Sequence, residues 1–183
     1  MNRLCGVAML LLLMAGLAWP QAQNSDPWAP RVTPLPGGGA ADLIGEWSKS
    51  TVSNIDFVNP STGSHADPSG ERLNVRFFPD GHYKLGWLLQ SSLYSCTSTV
   101  FGLKNGVYSV DGGALTMKDA DSVLTSKDTC HREWNYEKHP PLRQSTYQWR
   151  FGRTRYGLVL ILRGPDGKET IYARETGPGL LGR

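Results

Sequence analysis

The chain has 183 residues and three cysteines, Cys5, Cys96 and Cys130. Cys130 lies in the run Lys127-Asp128-Thr129-Cys130-His131-Arg132-Glu133-Trp134, where a thiol stands beside an imidazole among charges. Four kinds of chemistry use such a pair. A c-type haem anchor requires Cys-x-x-Cys-His, and the residue three before Cys130 is Lys127, so that use fails. A closed zinc site requires four ligands, commonly in paired spacing. Cys96, Cys130, His131 and His139 show neither Cys-x-x-Cys nor a His pair three to five residues apart, so no metal is expected. A nucleophilic thiol must be reduced and activated by its surroundings. A disulfide needs only a second cysteine and an oxidising compartment.

Other catalytic patterns are missing. The chain contains no Gly-x-Ser-x-Gly, no His-Glu-x-x-His, no Walker loop and no Gly-x-Gly-x-x-Gly. His65 falls in a polar stretch, and His82 follows a turn with Lys84 on its own face. Asp56, Asp80, Asp111 and Asp166 sit in loops or turns, where capping the backbone accounts for them. The expectation is a protein that is not an enzyme, with no catalytic residues and no cofactor.

Compartment decides between thiol and disulfide. Residues 1–22 read as a secretory signal peptide: Arg3, a short apolar run, then small residues, with cleavage after Ala18 or Ala22. The run is shorter than the roughly 20 residues that span a bilayer, so no permanent membrane anchor is expected. Cys5 lies at the start of the run, not after it, which excludes a lipoprotein cysteine. Removal of the signal leaves Cys96 and Cys130, read as a disulfide in a periplasmic or extracellular protein. It also lowers the formal charge from +3 to about +2, too little to imply a nucleic-acid partner. Residues 23–40 carry four prolines after Asp26 and then Gly37-Gly38-Gly39, a Pro/Gly-rich linker. Residues 41–176 form the domain, and 177–183 a short flexible tail.

The elements that must position these residues follow from alternation. Leu73, Val75 and Phe77 share a face, Pro79-Asp80-Gly81 makes a turn, and Tyr83, Leu85, Trp87 and Leu89 share the next face. A strand over 93–103 is expected, then a turn at Lys104-Asn105-Gly106. Strands at 107–110 and 114–118 flank Asp111-Gly112-Gly113. Tyr147, Trp149 and Phe151 alternate with outward Arg150 and turn into Tyr156, Leu158, Leu160 and Leu162. Residues 51–70 and 119–145 read as long irregular segments. The fold class is all-β: an antiparallel up-and-down β-barrel, with a two-sheet β-sandwich as the alternative.

At Leu43-Ile44-Gly45-Glu46-Trp47 the chain resembles the lipocalins and the wider calycin superfamily, in the form of small lipocalin-like domains of bacterial exported proteins. Phe77-Phe78-Pro79-Asp80-Gly81-His82-Tyr83 and Gly106-Val107-Tyr108-Ser109-Val110-Asp111-Gly112 carry the same resemblance. It implies that Gly45 and Trp47 open the barrel and that Trp47 packs at its closed end against an arginine on the last strand, here Arg174. The chain ends soon after Arg174, without the helix that follows the lipocalin barrel.

Alternation and resemblance together give a function. The expected protein is an exported, non-catalytic binding module for a small hydrophobic or amphipathic ligand. Tyr83, Trp87, Tyr147 and Trp149 would line the site, with Phe57 as a lid contact. The alternative is a structural or protein-interaction domain with a filled core, meeting an envelope protein through its loops.

Overall fold

A computed structural model describes residues 31–35, 38–51, 57–58, 65–66, 69–93, 95–177 and 181. The signal-peptide reading and most of the linker therefore lie outside the described residues. Eight strands carry the fold: β1 (Gly45–Ser50), β2 (Gly70–Phe77), β3 (His82–Leu93), β4 (Cys96–Asp111), β5 (Ala114–Asp128), β6 (Gln144–Thr154), β7 (Gly157–Arg163) and β8 (Glu169–Arg174). Each pairs antiparallel with the next, and β8 returns to β1 through Ala173↔Ser48 and Arg174↔Trp47. The ring is a closed up-and-down barrel, which excludes the sandwich. Closure satisfies the backbone groups that an open edge would expose.

The strand map departs from the sequence reading in three places. Residues 93–103 are not one strand, because Leu93 pairs with Cys96 across a hairpin. Lys104-Asn105-Gly106 is no turn; β4 runs through it, and the register with β5 shifts between Asn105 and Gly106. The stretch after Asp119 is not irregular from its start, since β5 continues to Asp128 and Tyr136–Lys138 then adds to its free edge. Polar residues on an inward strand face weakened the alternation that marks a strand, and they read as loop.

Tight turns at residues 78–81, 111–113 and 155–156 gather at one end. A 3-10 turn, Ala40–Leu43, covers that end. Ahead of it, Thr33–Pro34 pairs with Gly152 and Arg153 of β6, and the Leu35 amide donates to Phe151 O at 3.1 Å. Part of the Pro-rich segment thus lies against the barrel as an added strand.

The core sits just inside this closed end. Trp47 is fully buried, stacks on Phe151 at 5.5 Å between centroids, and donates from Nε1 to Leu43 O at 2.8 Å. Arg174 lies over the Trp47 indole at 5.1 Å and donates to Asp42 O (3.3 Å) and Ile44 O (2.9 Å). Gly45 makes room for it: φ is +129°, and a Cβ there would stand 3.2 Å from the Arg174 guanidinium. The Gly-x-Trp spacing therefore has a local cause at the seam, where two residue pairs and the bond from Glu175 N to Glu46 O at 2.9 Å join the end of β8 to β1. Outside the same seam, Arg72 reaches Glu175 at 3.0 Å and Asn74 reaches Glu46 at 2.8 Å.

Candidate ligand-binding site in the barrel interior

Residues paired directly across antiparallel strands share a face, so the ladders give the interior row by row. From the closed end toward the open end, β3, β4 and β5 present Tyr83, Gly106 and Asp119 in one row, then Leu85, Lys104 and Ser122, then Trp87, Gly102 and Leu124. The first two rows hold the polar cluster. The Tyr83 hydroxyl donates to Asp119 Oδ1 at 2.5 Å, and Lys104 Nζ donates to Oδ2 at 2.7 Å. The Arg143 amide adds a longer bond to Oδ2 at 3.3 Å.

A β-bulge builds this cluster. Between Asn105 and Gly106 the register steps one residue on β4 and two on β5, from Asp121 to Asp119, leaving Ala120 as the extra residue. The inward set on β5 therefore changes from Leu115, Met117 and Asp119 to Ser122 and Leu124. Without the extra residue, Asp119 and Ser122 would face opposite sides of the sheet. Gly106 permits the bulge, because a Cβ on it would lie 2.0 Å from Lys118 O.

The electrostatics follow from burial and partners. Burial pushes the Tyr83 hydroxyl far above the ordinary tyrosine range, and its bond to Asp119 and that residue's charge push it further. Burial alone would raise the Asp119 carboxyl. Hydrogen bonds from Lys104 and Tyr83, the Lys104 charge and the Arg143 amide outweigh it and hold Asp119 below its usual value. Tyr172 is pushed up to about 12 by burial, then by Tyr147 and Glu71. These tyrosines are hydrogen-bond donors at neutral pH, not bases.

Ser122 is 1% exposed, and its Oγ has no hydrogen-bond partner among the described residues. A buried hydroxyl without a partner loses hydration with nothing in return. It stands opposite Lys104 on the inward face.

The residues expected to line a ligand site separate into two groups. Tyr83 is buried in the cluster, and Tyr147 packs against the core and interacts electrostatically with Tyr83 and Tyr172. Trp87 lies across Gly102, where a Cβ would meet the indole at 1.9 Å, and so forms an apolar wall above the cluster. Trp149 instead stacks edge-on with Phe151 at 5.3 Å and donates from Nε1 to Gly112 O at 3.2 Å, near the closed end. Phe57 pairs with Ala66 in a short ladder, and its side chain lies outside the described residues. Tyr156, expected on an inward face, is 78% exposed at its turn. Lys104, Asp119 and Ser122 escaped the sequence reading. Their trace is the switch from odd-numbered Leu115 and Met117 to even-numbered Leu124, which requires one extra residue between.

Cys96 and Cys130 form a disulfide with Cα atoms 5.5 Å apart. It ties the segment after β5 to the β3–β4 hairpin at the open end. Asp128 organises the same segment: it accepts from Ser98, from Cys130 N at 2.9 Å and from His131 N at 2.6 Å. The Ser98 bond, then the two amides, hold its carboxyl below the ordinary value. His131 stacks on Trp134 at 4.1 Å. Among the described residues no helix is long and apolar enough to cross a membrane. That observation and the disulfide are compatible with an exported protein.

No protein-family model matches the chain, and comparison with curated proteins finds no match.

Proposed function

We propose that the protein is an exported, lipocalin-like binding module that holds a small hydrophobic or amphipathic molecule in its barrel and performs no chemistry on it. The observation that carries this reading is the inward polar cluster of Tyr83, Lys104, Asp119 and Ser122, set below the apolar wall of Trp87 and Leu124. A few fixed polar groups at one end of an apolar cavity orient a ligand, which is how small-molecule sites are built. Catalysis has less support. Tyr83 holds its proton far into the alkaline range, and Asp119 is engaged by three donors. No nucleophile beside a free base accompanies them among the described residues.

The disulfide supports export, because such bonds persist in oxidising compartments. The eight-strand meander and the Arg174–Trp47 contact support the lipocalin-like reading. The test is to expose the exported protein to a mixed lipid extract and record native mass spectra. A retained adduct of defined mass, lost when Trp87 is changed to glutamate, is expected. A spectrum of bare protein only, under conditions that keep the barrel folded, would reject the carrier. It would favour an interaction domain acting through its loops, where Leu93 and Trp134 are 68% and 57% exposed.

A further inference from the structure

The geometry points to an uncharged head group on the ligand, a hydroxyl or carbonyl held by the Ser122 hydroxyl and the Lys104 ammonium, with an apolar tail along Trp87 and Leu124. This deepens the carrier reading above and rests on it.

Two observations carry the assignment. The first is charge balance. The inward register of β4 and β5 places Lys104 and Asp119 beside Ser122, one cation and one anion, while the other inward charges of β1, β2 and β5, Lys49, Glu71 and Asp128, lie in rows nearer the open end. Lys104 is already neutralised by Asp119 at 2.7 Å. A carboxylate entering this space would bring a charge without its own counter-ion, and burying such a charge is strongly unfavourable. An ammonium head meets the same penalty. A neutral head avoids it and can still accept from Lys104, whose ammonium carries three donors and spends one on Asp119.

The second observation is the Ser122 Oγ, buried and unpaired among the described residues, one strand across from Lys104. A hydroxyl both donates and accepts, so it suits an alcohol or a carbonyl equally. The bulge at Ala120 is what turns it inward beside Asp119, so the same irregularity that forms the ion pair supplies the unused donor.

The test compares three probes of one chain length on the full exported protein at pH 8: decan-1-ol, decanoate and decylammonium. Affinity is read from tryptophan fluorescence below the concentrations at which the probes aggregate. Decan-1-ol is expected to bind at least about tenfold more tightly than either ion. Ser122→Ala should weaken decan-1-ol by about two- to tenfold, the worth of one neutral hydrogen bond. The same substitution should leave the apo melting temperature unchanged or raise it by a few degrees, since no protein partner is lost. A merely structural serine would move the other way, lowering the melting temperature and leaving affinity alone, and that result overturns the assignment. Preferential binding of decanoate or decylammonium overturns the neutral head while the carrier reading stands. Binding of none of the three overturns both.

Discussion

Removing the Asp119 carboxylate is the sharpest perturbation of the interior. Asp119→Ala strands three donors at once: the Tyr83 hydroxyl, the Lys104 ammonium and the Arg143 amide. Breaking one side of a fully buried ion pair costs about 3–5 kcal/mol. The Asp119 side chain is 7% exposed but that of Lys104 is 24% exposed, so part of the Lys104 charge stays in contact with water. A loss of about 2–4 kcal/mol is the discounted expectation. Tyr83→Phe removes one bond to a charged acceptor and should cost about 1–2 kcal/mol. Made in the Asp119→Ala background, the same change should cost less than about 0.5 kcal/mol, because its partner is gone. Urea unfolding at pH 7, disulfide intact, followed by tryptophan fluorescence, gives all three values. pH supplies a second check. The Asp119 pKa is depressed in the folded state, so the stability it contributes is present above the unfolded value near 4 and is lost as pH falls through the folded value. The gap between wild type and Asp119→Ala should therefore narrow in acid. A loss below about 0.5 kcal/mol at pH 7, or a gap undiminished near pH 2, would refute the reasoning.

Four further outcomes are expected. Arg174→Ala should cost about 1–2 kcal/mol, since Arg174 covers Trp47 and two carbonyls but stays exposed, and Arg174→Lys should recover less than half; chemical denaturation measures both. Free-thiol counting on the unfolded, unreduced protein should find none at Cys96 or Cys130, and replacing both with serine should lower stability by roughly 3–4 kcal/mol on the loop-closure model. Gly106→Ala should cost about 2–3 kcal/mol and reduce ligand affinity with it, because the added methyl meets Lys118 O and displaces the bulge that aims Asp119 and Ser122. Stability should fall above pH 10: the raised Tyr83 and Tyr172 values stabilise the fold fully below the unfolded tyrosine pKa, and that contribution is lost as pH climbs past it toward the folded values.

The barrel was legible wherever one face of a strand is apolar. Leu73, Val75 and Phe77 alternate cleanly, and so do Leu158, Leu160 and Leu162, which placed β2 and β7. The tight turns at Pro79-Asp80-Gly81 and Asp111-Gly112-Gly113 were equally plain, because proline and glycine fix the backbone locally. What hid was the polar part of the barrel interior. Lys104, Asp119 and Ser122 face inward, yet in a single sequence a polar residue at an inward position looks like a loop residue. The bulge compounds this, since Ala120 shifts the alternation by one and breaks the period on which the reading rests. Gly106 looks like a turn glycine in the sequence, but its cause is the close approach of Lys118 O. Tyr156 misled in the opposite direction: it continues the alternation of Leu158 and Leu160 but stands on the turn itself, outside the ladder of β7. The apolar pattern reports burial in hydrocarbon surroundings, and a polar interior site is what it cannot report.

The central claim is that a small amphipathic molecule occupies the interior beside Tyr83, Lys104, Asp119 and Ser122. The most direct measurement is an NMR titration of the isotope-labelled protein with decan-1-ol, following backbone amides. Shifts concentrated at residues 83–87, 102–106 and 119–124, saturating together, are predicted. Shifts confined to outward positions such as Arg150 and Lys168, or no shifts at saturating probe, would contradict it.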